Sequence, residues 1–471
     1  VEGLAQPPIR SRDSWAMQLG AYHYAMDKPA VMLPLKMGRG KSKAAVDVII
    51  NRNDRRILIV CPKSVLGVWL REFTIFGDGN EKIVILDKGS TKFKAEQLDR
   101  AIRNQSDKRL IIVINYDSIW RKPLGDLIMC AGFDCVVMDE SHKIKSAQSK
   151  ASRYAYRLGK IVKHKMCLTG TPLPHSPLDA YGQYRFLSSD VFGSSFALFR
   201  ARYAICDPVY KSSVRSWINQ DDFSRRFYSV AYQPRDEDDI DLPPVTHDMR
   251  VCQLPPRARR VYAELEAEFI AGTESGIITA SNSLVKLLRL QQITSGFVTL
   301  DPEDGEAKGR VEKLHNEKRH VLIEILSDLP INEPFVVFCR FRPDIEVVKE
   351  VAKDMGRNYG EISGRQKDIT EFCKMPDSVD LMAAQIQSGG IGIDLTRAAY
   401  VAYMSIGFSL GEFDQSVARL CRPGQTRPVI CYHILVENSV DQKVYKAIKD
   451  RRKVIETVMD YYKNLDKENT F

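Results

Sequence analysis

Two short segments carry residue types whose spacing could do chemistry. The first is "MGRGKSKAAVDVII" (37–50), where Gly38, Gly40, Lys41 and Ser42 follow a strand-like apolar run and open a helix-like one. Glycines at such a turn permit backbone geometries and close approaches that a side chain would block. Amides at a helix start can cradle phosphate oxygens. Lys41 would then reach the outer phosphates, and the Ser42 hydroxyl would coordinate Mg2+. The full phosphate-loop spacing asks for one more glycine, five residues before Gly40, where this chain has Leu35. Taken alone, the segment reads equally as a capped turn. The second segment is "CVVMDESHKIKSAQS" (135–149), which sets Asp139 and Glu140 side by side at the end of an apolar run. In phosphate-loop ATPases a second strand presents an acid to the magnesium, and a neighbouring carboxylate can orient the attacking water. Asp139 suits the metal and Glu140 the water. An acidic surface turn would need no partner motif, whereas here a glycine-rich turn precedes the acids.

Both segments need strands that end where the chemistry begins. Strand-like runs are "AVMLPL" (30–35), "RILIVC" (56–61), "KIVIL" (82–86), "RLIIVIN" (109–115), "CVVMD" (135–139) and "HKMCLTG" (164–170). The theme returns with "EPFVVFC" (333–339), "DLMAAQI" (380–386), "AYVAYM" (399–404) and "VICYHIL" (429–435). Amphipathic stretches fill the intervals, for example "SVLGVWLREF" (64–73) and the run 439–462. This alternation predicts parallel α/β layers. Residues 190–290 are richer in aromatic and charged residues, "RDEDDIDLPP" (235–244) reads as a solvated linker, and 300–318 reads as polar and strandless. The expected organisation is two α/β lobes, 1–240 and 241–471, with helical insertions near 190–230 and 255–300.

Composition sets outer limits. The chain has 471 residues, 44% hydrophobic, enough for sizeable cores. No apolar run approaches the length of a membrane helix, and the opening lacks a signal-peptide pattern, reading instead as a loose lead-in. Ten cysteines stand singly without CxxC spacing, which argues against a zinc site and for a reducing, intracellular compartment. The net charge of +9 is compatible with a polyanionic partner.

With these residues in view, the chain resembles the Swi/Snf (Snf-two) family of DNA-dependent ATPases, within the superfamily-two helicase fold. "DESHKIKS" resembles the family's Asp-Glu-Ala-His box, and "ILIVCPKSVLGVWLREF" (57–73) its next motif, whose strand, Pro and Trp-bearing helix contact a DNA backbone. "CLTGTPLPHSPLDAY" (167–181) is similar to the motif coupling nucleotide state to DNA. "GEISGR" (360–365), "QSGGIGIDLTRAAYVAYM" (387–404) and "DQSVARLCRPGQ" (414–425) match second-lobe motifs in the family's order. The likeness runs from about residue 14 to 450. It implies two RecA-like lobes, ATP with Mg2+, and sequence-nonspecific binding of double-stranded DNA.

The resemblance also implies roles. Met37, Gly38, Arg39, Gly40, Lys41 and Ser42 form the ATP-binding turn, with Gln18 of "SWAMQLGAYHYAM" reading adenine and Gly392 and Asp394 contributing from the second lobe. Ser42 and Asp139 hold the metal. Arg419 and Arg422, three apart and expected on one helix face, reach the γ-phosphate, and Gln415 supports them. Lys63, Ser64, Thr169, Thr171, Arg340, Arg342, Arg365, Gln387 and Ser388 are the DNA-contact candidates. The chain departs from the family at "PLK" (34–36), at "IGFSLGEF" (406–413), where Phe408 stands near a usual Trp, and at Cys421 and Pro423. The expected activity is ATP-driven translocation on duplex DNA without obligatory strand separation, by a monomer of bacterial or phage type or a motor core cut from a longer protein. A strand-separating or annealing helicase is the alternative, followed by a nucleotide-gated DNA clamp with little hydrolysis.

Overall fold

The computed structural model describes residues 14–104, 107–206, 214–235, 241–268, 270–273, 276–279, 283–301, 310–366, 368, 372, 378–386 and 393–453. Those up to Asp241 build one compact unit, and those from Leu242 to Asp450 build another.

The first unit is organised by six strands: β1 (Ala30–Leu33), β2 (Arg56–Cys61), β3 (Glu81–Leu86), β4 (Arg109–Asn115), β5 (Cys135–Asp139) and β6 (His164–Leu168). They form one parallel sheet in the order β1-β6-β5-β2-β4-β3. Strands β1, β4 and β5 are buried at every position, which explains why they read as unbroken apolar runs rather than alternating ones. Successive residues feed opposite cores. Ile57 and Ile59 join Ala44, Val48 and Trp69 from the helices Lys41–Asn51 and Leu66–Phe76. Leu58 and Val60 join Leu98, Ala155 and Leu158 on the other face. After the sheet come the helices Ser189–Phe192, Phe196–Tyr203 and Gln220–Tyr228, and a hairpin of β7 (Ala204–Cys206) with β8 (Val214–Trp217). Phe192, Phe199, Phe223 and Phe227 stack there at centroid distances of 5.0 to 6.4 Å.

In the second unit β9 (Val245–Cys252) is followed by the hairpins β10 (Ile270–Thr273) with β11 (Gly276–Thr279), and β12 (Phe297–Thr299) with β13 (Val311–Lys313). Then come β14 (Phe335–Cys339), β15 (Tyr359–Ile362), β16 (Leu381–Gln385), β17 (Tyr400–Tyr403) and β18 (Val429–Val436). The parallel sheet runs β15-β16-β14-β17-β18-β9. Three strands depart from the sequence reading. β13 lies within 300–318, expected to be strandless, because its partner β12 supplies the pairing that its polar sequence does not advertise. β9 is an edge strand, half-buried to exposed throughout, so "VTHDMRVC" shows no apolar run; eight residues of register with β18 hold it. β15 is too short to stand out in "YGEI". A buried ion pair, Lys318 Nζ to Asp441 Oδ2 at 2.7 Å, ties the helix Glu317–Ser327 to the turn after β18. Its members are further satisfied by the Met404 carbonyl and the Thr294 hydroxyl.

Candidate active site

The glycine turn lies at the carboxyl end of β1, where ligands bind in parallel α/β sheets. Gly38 and Gly40 both have φ of +75°, a region that other residues enter only with strain. Gly40 is the N-cap of the helix Lys41–Asn51, so the amides at the helix start face the turn. A side chain at Gly40 would collide with the amide of Gln18. That amide is buried, 3.5 Å from the Arg39 carbonyl, while its oxygen accepts from the Trp15 N–H at 3.3 Å. Gln18 is thus seated directly on the turn. Lys41 is buried and its Nζ donates to the Leu35 carbonyl at 3.1 Å. The residue that breaks the glycine spacing therefore still holds the lysine, through its backbone. Met37 and Ser42 are half-buried and Arg39 is buried in the same turn.

Asp139 closes β5 and Glu140 follows it in the left-handed region, φ 53° and ψ 52°. Holding a non-glycine residue there costs about 1–2 kcal/mol and marks a constrained position. Asp139 is buried and accepts a hydrogen bond from Trp69 Nε1 at 3.0 Å, while its carbonyl accepts from the Tyr116 hydroxyl at 2.8 Å. Burial pushes the Asp139 carboxyl up to about 7, and the neighbouring Glu140 charge adds to this. Lys41, the Trp69 bond and a backbone N–H pull the other way. The lysine of the first motif and the acid of the second thus act on one another. Mg2+ prefers hard oxygen ligands in number, and a desolvated carboxylate facing a half-buried hydroxyl at Ser42 is a donor set that fits it.

The loop after β6 completes the edge. Gly170 passes close under the glycine turn: a Cβ there would lie 2.8 Å from Met37 Cγ and 3.4 Å from Lys41 Nζ. Glu140 Oε2 lies 3.4 Å from His142 Nδ1, and the same nitrogen lies 3.5 Å from Thr169 Oγ1. Thr169 in turn accepts from the Thr171 N–H at 3.1 Å. Thr169 is fully buried, so its hydroxyl serves this internal chain and presents no surface to a duplex, contrary to the sequence expectation. Thr171 is half-buried. Gln183 clamps the loop from behind, donating to the Pro172 carbonyl and accepting from Ser141 Oγ, each at 2.6 Å. Lys63 is exposed and Ser64 half-buried at the carboxyl end of β2, in the 3-10 turn that precedes Leu66–Phe76. Trp69 of that helix faces inward to Asp139 rather than outward to a backbone.

In the second unit the helix Leu410–Leu420 carries Gln415 and Arg419, both half-buried. It ends before Arg422, because Cys421 is the C-cap and Pro423 cannot continue a helix. The two arginines therefore do not share a helix face, which corrects the spacing argument; Arg422 folds back, its Nε donating to the Ala418 carbonyl at 3.2 Å. The turn is locked by Gln425, buried and donating to the Thr396 and Ala398 carbonyls at 3.0 and 2.9 Å. The Leu395 N–H donates to the Arg419 carbonyl at 3.0 Å, so the segments 393–398 and 419–425 form one piece. Asp394 is exposed and accepts from the Thr396 N–H and hydroxyl. Gly392, Gln387 and Ser388 lie outside the described residues. Arg340 is half-buried, its guanidinium bonded to Gln291 and its N–H to Ser405 Oγ. Arg342 is exposed, and Arg365 pairs with Glu346 at 3.6 Å on the surface. Trp69, His142, Gly170 and Gln425 were not singled out from sequence; a Trp at the apolar position of an amphipathic helix, whose N–H must find a partner when buried, was the one available signal.

Comparison with known proteins agrees with this arrangement. The family described as the SNF2-related domain matches residues 19–296, more than half of the chain. The chain belongs to this family of helicase-like ATPases, and its two parallel, helix-flanked sheets are RecA-like lobes. Among curated proteins it is 21% identical over 454 residues to a Caenorhabditis elegans SWI/SNF-related matrix-associated actin-dependent regulator of chromatin subfamily A-like protein 1 homolog, covering 93% of this chain and 61% of the relative. It is 23% identical over 439 residues to the Saccharomyces cerevisiae DNA repair and recombination protein RDH54, covering 83% and 45%. The chain thus spans about half to three-fifths of the relatives' length. Among solved structures it is similar to a Sulfolobus solfataricus SWI2/SNF2 ATPase core in complex with dsDNA, at 21% identity and TM-score 0.45, covering 98% of this chain and 95% of that one. Among the described residues no helix is long and apolar enough to cross a membrane.

Proposed function

We propose that this protein is an ATP-hydrolysing motor that binds duplex DNA through sequence-independent backbone contacts and translocates along it without obligatory strand separation. One observation carries the reading: a left-handed glycine turn, a buried lysine and a buried, mutually coupled acid pair meet at one sheet edge. In that reading the turn's amides and Lys41 bind the phosphates, and Gln18 receives the adenine. Ser42 and Asp139 hold Mg2+, which supplies charge neutralisation on the phosphate oxygens when bound. Glu140 orients the attacking water, in a side-chain position set by its own strained backbone. Arg419 and Arg422 supply positive charge to the transferring phosphate, with Gln415 beside them, as the family resemblance assigns. The DNA contacts are Lys63, Ser64, Arg342 and Arg365, with Arg340 placed to join them after a rotamer change. The relatives' names, which include a DNA repair protein and a chromatin regulator, support a DNA partner.

The deciding experiment measures phosphate release against duplex, single-stranded and forked DNA across a salt series. Stimulation by duplex that weakens steeply with salt, with no separation of a labelled fork, is the expected result. Robust unwinding of the fork would turn the reading to a strand-separating helicase, and DNA binding without stimulated hydrolysis would turn it to a nucleotide-gated clamp.

A further inference from the structure

The chain carries a net charge of +9, and that excess is not spread along it. Residues 141–178 hold eight Lys and Arg and no Asp or Glu, so nearly the whole excess sits in one segment. At its centre is the helix Lys150–Gly159, which connects β5 to β6. Tyr154, Ala155 and Leu158 plant that helix on the sheet face opposite the one covered by the nucleotide helix. Lys150, Arg153, Arg157 and the C-cap Lys160 are all exposed. At 3.6 residues per turn they fall within a sector of about 80° and span about 15 Å along the axis.

The stripe works against the helix that carries it. Lys150 and Arg153 occupy the amino-terminal end, where the backbone dipole repels cations, and the first turn holds no acid to offset them. Arg153 and Arg157 are four apart and Arg157 and Lys160 three apart, spacings at which like charges repel. A conflict between local preference and overall design is expected where a surface serves function. Both ends are also held by aromatic rings. Lys150 Nζ lies 4.8 Å from the centroid of Trp120, which Arg121 flanks at 5.2 Å. Lys160 Nζ lies 4.5 Å from that of Tyr156, which Arg185 flanks at 4.0 Å. Cations seated over rings keep their charge while losing freedom, so the stripe is a prearranged row rather than a loose set of side chains.

We infer that this face is a second nucleic-acid surface, binding the phosphate backbone of a DNA segment other than the one held by the motor contacts. The inference rests on the motor reading only in its choice of DNA as the polyanion. The row covers roughly four base-pair steps at 3.4 Å each. Charge without hydrogen-bonding groups aimed at bases positions a strand and does not read its sequence. Such a surface would let the protein hold a distant stretch of its track, or a second duplex, while the motor contacts move.

The test compares wild type with a variant carrying Lys150→Gln, Arg153→Gln, Arg157→Gln and Lys160→Gln. Binding to a long and to a short duplex is measured across a salt series, alongside hydrolysis at saturating short duplex. The expected variant melts no lower than wild type, since repulsions are removed, and keeps short-duplex hydrolysis within about twofold, since phosphate contacts at a separate site leave the motor untouched. Its affinity for long duplex falls at least about tenfold, and the slope of log affinity against log salt becomes shallower by about 3 to 4. Unchanged long-duplex affinity and slope would overturn the inference. So would unchanged DNA binding with lost binding to polyglutamate or to phosphatidylserine vesicles, which would make the partner an acidic protein or a membrane. If short duplex fails to stimulate even the wild type, the motor reading falls while the slope comparison still judges the stripe.

Discussion

The bond from Trp69 Nε1 to Asp139 Oδ2 gives the sharpest test of the nucleotide site. Trp69→Phe keeps an aromatic ring in the apolar layer and deletes only the donor. The bond is 3.0 Å long, buried, and made to a carboxylate, a class worth about 1.5–3 kcal/mol. At 1.36 kcal/mol per pH unit, its loss moves the midpoint for ionising Asp139 upward by about 1–2 pH units. The wild-type carboxyl already stands at about 7 because it is buried beside Glu140, and the Trp69 bond is one of the interactions that lower it. Proton and magnesium compete for that carboxylate. At pH 7 the ionised fraction, about half in wild type, drops by roughly 5- to 50-fold in the variant, and the magnesium concentration for half-maximal hydrolysis rises correspondingly. Raising the pH by about two units restores most of the rate. The assay is the pH profile of kcat/KM for ATP at several magnesium concentrations, with thermal melting as a control for folding. An acid limb that stays in place, or a loss equal at every pH, refutes the assignment of Asp139 as the metal ligand tuned by Trp69.

Three further outcomes are expected. Glu140→Gln retains ATP and DNA binding but lowers single-turnover hydrolysis by about 10²–10⁴, the range for losing a positioned general base; nucleotide binding by titration calorimetry separates the two effects. Arg422→Ala loses hydrolysis by about 10³–10⁵ with DNA affinity nearly unchanged in anisotropy titrations, and wild-type turnover in this variant rejects its role at the phosphate. Asp344, fully buried and bonded to Ser405, has its carboxyl raised to about 6 by burial. Because the folded form holds that proton more tightly than the unfolded chain, stability is highest below about pH 4 and falls by up to about 3 kcal/mol as pH rises through 6. Asp344→Asn flattens this dependence, read from denaturant midpoints between pH 4 and 8, and an unchanged slope would contradict it.

Much of this molecule is legible one residue at a time. Glycines at 38 and 40, a lysine beside them and two acids closing an apolar run can be read in sequence because backbone freedom, strand burial and phosphate chemistry each demand particular residue types at short spacing. The buried strands show for the same reason: covered on both faces, they must be apolar throughout. Edge and hairpin strands such as β9 and β13 do not show, since their partners, not their own composition, make them strands.

Contacts between distant segments belong to the tertiary structure alone. Nothing local in the helix Leu66–Phe76 says that Trp69 turns toward an acid 70 positions away, and nothing in "CLTGTP" says that Thr169 is spent on His142 while Gly170 passes beneath Lys41. A hydrogen bond depends on where two chains are brought by packing, and burial decides whether a hydroxyl serves the interior or a ligand. Spacing predicted a shared helix face for Arg419 and Arg422, but Pro423 and the Gln425 lock end the helix between them. Sequence by itself determined which groups could handle a triphosphate and which strands would carry them. The fold decided which of those groups meet and what charge they hold, because desolvation and pairing energies exist only once the surrounding layers have closed.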